Sequence, residues 1–227
     1  MKTIRILNGN MLKMIAMITM VIDHVGLLLL DDLLPFRIIG RISFPIYAYL
    51  IVEGCVYTRR KLRRFLEVFL LGAICQLAYF VAEGDFYFNV LLTFSVSIPL
   101  VYLVEACKKE AKRELLLLPT ALATAAAVLL CLLLERADVF FDYGCAGILL
   151  PPLIALGRGV NQKAVLFALG IVALSLASGL WYQWFSLLAV IPVLMYNQQR
   201  GRRNIKHFFY AFYPLHMLVI WFISLFL

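Results

Sequence analysis

Charged residues make up only 15% of this 227-residue chain, while hydrophobic residues reach 64%. A soluble domain carries about a quarter charged residues. So little charge cannot cover a wetted surface, which excludes soluble enzymes, disordered tails and separate nucleic-acid-binding domains. Cysteine is sparse and scattered. Cys55, Cys75, Cys107, Cys131 and Cys145 lie singly in apolar runs without a CxxC pair, the pattern of small buried hydrophobes, so neither disulfide nor metal is expected. There is no glycine-rich phosphate loop, HExxH or nucleophile elbow, no internal repeat, and no loop long enough for a separate domain. The basic, apolar start resembles a signal peptide. However, Asp23 and His24 interrupt it and no small-x-small cleavage site follows LLLLDDLLP, so it is expected to stay as a first span.

What the chain does contain is apolar runs near the roughly 20 residues a spanning helix needs. The expected fold is all-α, a polytopic membrane helix bundle forming a single domain over residues 1–227. It has about nine transmembrane helices, at about residues 12–30, 38–56, 63–81, 89–106, 115–134, 143–157, 164–180, 181–196 and 207–226. The sixth to eighth are short and carry Gly144, Gly147, Pro151, Pro152 and Gly179, so tilted, kinked or re-entrant segments there would make the count eight or ten.

Lys and Arg resist export, so their distribution gives the orientation. With the N-terminus cytoplasmic, the inner segments hold eighteen of the 21 basic residues. The outer loops hold Asp31, Asp32, Glu83, Asp85, Glu135, Asp138 and Asp142 beside aromatic clusters such as Phe86, Tyr87 and Phe88. The net charge of +8 then records topology rather than a nucleic-acid partner. The inner clusters YTRRKLRR and NQQRGRRNIK would suit phosphates, although the positive-inside bias by itself accounts for them.

Charge inside the hydrocarbon costs on the order of 2.5 to 3.5 kcal/mol per residue and needs a reason. The residues in question are Asp23, His24, Arg41, Glu53 and His216. Folding the first hairpin about a turn near residues 33 and 34 places Asp23 and His24 roughly ten residues from the turn, Arg41 about seven and Glu53 about nineteen. The first three therefore share one depth, and Glu53 falls opposite Lys13. Adjacent helical residues point about 100 degrees apart, which suggests that Asp23 neutralises Arg41 while His24 faces a cavity as a general-base candidate. An Asp–Arg pair that only locks two helices together is the bland alternative. In FYAFYPLH, Pro214 frees the carbonyl of Tyr210. Tyr210, Tyr213 and His216 then make either a functional polar stripe or partners for that carbonyl.

The stretches LKMIAMITMVIDHVG, RIIGRISFPIYAYLIVEG and YTRRK, followed in order by NVLLTF, DYGCAG, YNQQRG and FYAFYPLH, resemble the TraX family of bacterial membrane proteins essentially end to end. One departure is YNQQRG, where a glycine is expected directly after the asparagine. The family is named for a protein that N-acetylates the amino terminus of conjugative pilin, and it looks akin to wider membrane acyltransferases that draw on cytoplasmic acetyl-CoA. The resemblance implies a multi-pass protein of the bacterial cytoplasmic (inner) membrane. It would accept acetyl-CoA or another acyl-CoA as donor and need no metal. The acceptor would be a peptide or protein amino terminus or a small amine, with hydroxyls also open.

Carried over by motif, the site residues are Asp23, His24, Arg41, Glu53, Tyr213 and His216. The coenzyme phosphates would meet Arg59, Arg60, Lys61, Arg64, Arg200, Arg202 and Arg203. His24 would take the acceptor's proton, Asp23 would set the imidazole's charge state or hold Arg41, and Arg41, Tyr213 or His216 would stabilise the oxyanion. An acetyl-His intermediate and direct attack both remain open. Two rival classes are a proton-coupled solute carrier and a noncatalytic membrane assembly partner. Confinement of the ionisable residues to the first hairpin and last span argues against the carrier, whose halves usually show matching broken helices.

Overall fold

All nine apolar segments are helical. The computed structural model describes residues 5–84, 86–109, 113–201 and 206–226. The helices are α1 Gly9–Leu28, α2 Leu34–Gly40, α3 Ser43–Tyr57, α4 Lys61–Glu83, α5 Val90–Lys109, α6 Arg113–Glu135, α7 Gly144–Leu156, α8 Val160–Ser178, a 3-10 helix Trp181–Ala189 continuing into α9 Val190–Leu194, and α10 Lys206–Ser224. Six stretches among the described residues are long and apolar enough to cross a membrane: Gly9–Leu28, Leu34–Tyr57, Lys61–Val81, Val90–Lys109, Glu114–Glu135 and Val160–Ser178. The protein is an all-α, multi-pass membrane protein. Of the three segments expected to be short, the one around residues 164–180 is a full-length helix, because the apolar period runs back through Val160 across Lys163. Gly144–Leu156, Trp181–Leu194 and Phe208–Ser224 are shorter apolar helices.

The chain forms two compact units, one from residues 1–50 and 175–227, the other from residues 51–174. In the first, α1 packs on α2 and α10, and α2 packs on the 3-10 helix. Asn8 starts α1 by accepting from the backbone N–H groups of Asn10 and Met11, which satisfies two of the orphan donors every helix start exposes. Next to it, Leu7 N–H donates to Met195 O and Gly9 N–H to Gln199 O. The hairpin turns through Asp31 and Asp32, both at positive φ, a conformation Asp tolerates better than most side chains. Pro45 has no N–H to return to the carbonyl of Arg41, and the helix breaks at Arg41 and Ile42.

In the second unit α5 is central, packed by α4, α6 and α7. A two-residue parallel ladder pairs Tyr87–Phe88 with Phe140–Phe141. Ser97 Oγ donates to Ile148 O at 2.8 Å and joins α5 to α7, a partner that makes a buried hydroxyl tolerable in an apolar interior.

Candidate active site

Asp23, on the buried face of α1, is the centre of an ionic cluster in the first unit. Arg41 Nη2 donates to both its carboxylate oxygens, at 2.9 and 3.1 Å, and Arg37 Nη1 lies 2.9 Å from Oδ2. Arg37 also reaches the turn, with Nε 2.9 Å from Asp32 Oδ1. Two guanidinium groups on one buried carboxylate, with Asp32 balancing the second at the exposed edge, make an ionic cluster held rigidly by charge-assisted bonds. Arg41 Nε donates to Arg37 O at 3.2 Å, Nη1 reaches Gln183 Oε1 at 3.4 Å, and the Tyr182 ring lies 5.6 Å from the guanidinium carbon. Gly40 makes this close packing possible. A Cβ there would collide with Asp23 Cβ, Cγ and Oδ1, so the glycine of the IGR motif leaves room for the acid that its neighbour Arg41 holds.

His24, one residue along α1, turns away from this clamp. Its Nδ1 lies 3.0 Å from His216 Nε2, and the rings are 5.1 Å apart at 33°. His216 Nδ1 lies 2.9 Å from Phe212 O, and its ring stacks on Phe212 at 4.9 Å with Tyr213 edge-on at 5.8 Å. These contacts assign the protons. A carbonyl only accepts, so His216 Nδ1 carries hydrogen and donates. In a neutral His216, Nε2 then accepts, and His24 Nδ1 must be the donor. The lone pair of the His24 ring therefore resides on Nε2, and the chain from Phe212 O through His216 to His24 fixes both tautomers. The carbonyl that His216 engages belongs to Phe212, not the Tyr210 carbonyl freed by Pro214.

Gln183 is buried in the 3-10 helix at 1% exposure, and among the described residues its Nε2 has no hydrogen-bond partner. Its backbone carbonyl accepts from Ser175 and Ser186 hydroxyls, at 3.3 and 2.6 Å, which anchors the residue while the amide extends to Arg41. Arg37 and Gln183 are functional candidates that only the structure brings forward. Arg37 follows Asp23 poorly in any spacing rule, being held on a different helix, and Gln183 is an uncharged residue in an aromatic run. Arg37 had one available signal, its i, i+4 spacing to Arg41.

Glu53 lies in the second unit, where its ion pair goes to Lys163, Nζ 2.8 Å from Oε1, rather than to Lys13, whose ammonium lies over Phe209 at 5.0 Å. Glu53 Oε2 is buried without a partner among the described residues. A second buried acid, Glu105, pairs with Lys108 at 2.6 Å, and Lys108 also donates to Ala155 O and Gly157 O. The ionisable residues are thus not confined to the first hairpin and last span. Of the expected coenzyme-binding residues, Arg59 and Arg60 are exposed at the turn between α3 and α4. Lys61 lies over the Tyr102 ring at 5.3 Å. Arg64 lies against Gly54, where a Cβ would meet its guanidinium. Arg200 is exposed in the loop after α9, and Arg202 and Arg203 fall outside the described residues.

The family described as "TraX protein" matches residues 8–224, a range that takes in both the Asp23 clamp and the imidazole pair. The chain belongs to the TraX family. A relative of this TraX chain, the "Probable fimbrial assembly protein FimC, serogroup H1" of Dichelobacter nodosus, is 23% identical over 92% of each chain. An uncharacterised protein of Rickettsia prowazekii is 31% identical over 41% of this chain and 46% of its own length. No solved structure matches.

Proposed function

We propose that this TraX-family protein is an acyltransferase of the bacterial inner membrane, moving an acetyl group from cytoplasmic acetyl-CoA to an amine, with a hydroxyl as the less basic alternative. The observation that carries the reading is the 3.0 Å bond between His24 and His216. It leaves His24 Nε2 with a lone pair and a fixed tautomer, one residue along α1 from the Asp23 clamp. His24 Nε2 removes a proton from the acceptor as the acceptor atom bonds to the thioester carbonyl carbon. When the C–S bond breaks, the imidazolium returns that proton to the departing thiolate. Phe212 O and the His216 ring stabilise the positive charge His24 carries meanwhile.

Asp23 is engaged by two arginines, so its part is to hold Arg41 and Arg37 in place rather than to set the charge of His24. Arg41 is itself committed to Asp23, Arg37 O and Gln183, and it contributes field more than a directed bond. Gln183 Nε2 is the better oxyanion donor, being a buried amide N–H2 with no acceptor among the described residues. Such a donor is already desolvated, so it stabilises developing negative charge without reorganisation. Arg59 and Arg60, exposed at a loop expected on the cytoplasmic side, suit the coenzyme's phosphates.

The name of the Dichelobacter relative, a fimbrial assembly protein, favours a fimbrial subunit as acceptor, and an amino terminus is the amine that the TraX resemblance implies. The buried Glu53–Lys163 and Glu105–Lys108 pairs favour a second reading, a proton-coupled carrier, because intramembrane ion pairs also serve as proton relays. Purified protein incubated with labelled acetyl-CoA and a peptide bearing a free amino terminus separates the two. The acyltransferase acetylates the peptide in detergent, whereas a carrier leaves the label on coenzyme A and moves protons only across a sealed vesicle.

A further inference from the structure

The second unit brings together three ligand side chains that the sequence leaves scattered. Cys131 and Glu135 sit one turn apart on α6, with Cys131 Sγ 3.4 Å from Glu135 Oε1. Cys145 enters from the first turn of α7, and the three ligand atoms all lie within 4.8 Å of one another. We propose that Cys131, Glu135 and Cys145 form a binding site for one thiophilic divalent cation of the Zn(II) type, closing the α6–α7 hairpin and leaving a fourth position for water.

The spacing suits that ion. Tetrahedral zinc with Zn–S near 2.3 Å and Zn–O near 2.1 Å sets ligand atoms about 3.6 to 3.8 Å apart, which the existing pair already approaches and side-chain rotation reaches for the third. Softness suits it too, since two sulfurs and one carboxylate select zinc over magnesium or calcium. The loop between the ligands is held in place from outside the site. Asp142 N–H donates to Phe88 O at 2.8 Å, Thr93 Oγ1 donates to Asp142 O at 2.9 Å, and Tyr87 OH donates to Asp142 Oδ1 at 3.2 Å. Phe88 packs edge-on against Phe141 at 5.1 Å. The turn into α7 passes through Tyr143 and Gly144, both at positive φ, and this directs Cys145 back toward α6.

The charge pattern gives an independent reason. The buried carboxylates Asp23, Glu53 and Glu105 each pair with Arg or Lys. Glu135, half-buried at the end of a membrane helix, has no Lys or Arg within ion-pair distance among the described residues and takes a thiol as partner instead. A bound cation supplies the missing positive charge. Binding converts two thiols and M2+ into a bis-thiolate complex and releases two protons to solvent, with no change of oxidation state.

The test uses the full chain, purified through a tag without histidine and stripped with a chelator, then titrated with Co(II) as spectroscopic probe and Zn(II) as competitor. Wild type should take up one equivalent, show thiolate-to-cobalt charge transfer that Zn(II) abolishes, and melt at higher temperature with Zn(II) than without. Cys145→Ala should lose the charge-transfer band, and Glu135→Gln should weaken binding by at least the about 10- to 100-fold that loss of an outer-shell partner costs. Three results would overturn the proposal: no stoichiometric uptake by wild type, an unchanged band in a Cys131→Ala/Cys145→Ala double variant, or a Cys131–Cys145 disulfide in protein thiol-trapped at lysis. Should a variant fail to fold, alkylation of wild type read by peptide mapping decides the matter: Zn(II) should protect Cys131 and Cys145, and their unchanged labelling would overturn the proposal.

Discussion

At the scale of the residue, Asp23 and His24 are neighbours in sequence with opposite assignments. Asp23 holds two arginines, so Asp23→Asn should strand buried positive charge at roughly 3 to 5 kcal/mol. A sharp fall in folded yield and melting temperature, together with lost activity, is the expected readout. Gly40→Ala should behave similarly, because its Cβ would overlap Asp23, at about 1 to 3 kcal/mol. On the proposed mechanism His216 acts through His24 by accepting its Nδ1 hydrogen. His216→Gln keeps an acceptor and should retain more turnover than His216→Phe at equal expression, a rescue that a merely packing role would not produce. Gln183→Ala removes one long 3.4 Å bond and one orphaned amide together. Melting temperature should hardly move, while the transfer rate falls about 100- to 1,000-fold, as loss of an oxyanion donor does. An unchanged rate would return the oxyanion role to Arg41 or Tyr213.

At the scale of the element, the apolar runs and their helices agree because lipid leaves the backbone no other way to satisfy its polar groups. Composition therefore located nine segments to within a few residues. The hairpin of the first two spans is legible as well: folding it about residues 33 and 34 sets Asp23 and Arg41 at one depth, and they meet. Less legible were the contacts that depend on how helices rotate against one another. Whereas the break at Arg41 is a kink that Pro45 announces in the sequence, the 3-10 winding that presents Gln183 and the pairing of Glu53 with Lys163 across 110 residues leave no local period or spacing to read. That last pair makes its own prediction. Glu53→Gln should destabilise the protein by roughly 3 to 5 kcal/mol, and adding Lys163→Met should recover much of the loss, since removing both charges costs less than stranding one. Thermal melts of the two single variants and the double variant check it.

At the scale of the whole molecule, the proposed transfer needs a cytoplasmic face for the donor and an acceptor reached from the membrane or beyond it. The charge asymmetry of the loops predicts N-terminus inside and C-terminus outside. In a cysteine-free background, single cysteines replacing the exposed Lys109 and Ala137 should react from inside and outside respectively. The reverse pattern would move the donor to the wrong side. Charge reversal of Arg59, Arg60, Arg202 and Arg203 together should weaken acetyl-CoA binding while expression holds. A single solvated ion pair contributes only about 0 to 1 kcal/mol, so the combined variant is the informative one.

The most direct measurement of the central claim is acetyl transfer by purified wild type and His24→Ala, read alongside acetyl-CoA affinity and melting temperature. On the proposed mechanism His24 contributes chemistry through Nε2, so the variant should fold and bind coenzyme as wild type does while transfer falls about 100- to 10,000-fold. Near-normal turnover in His24→Ala, or unfolding comparable to Asp23→Asn, would contradict the account and leave His24 a structural partner of His216.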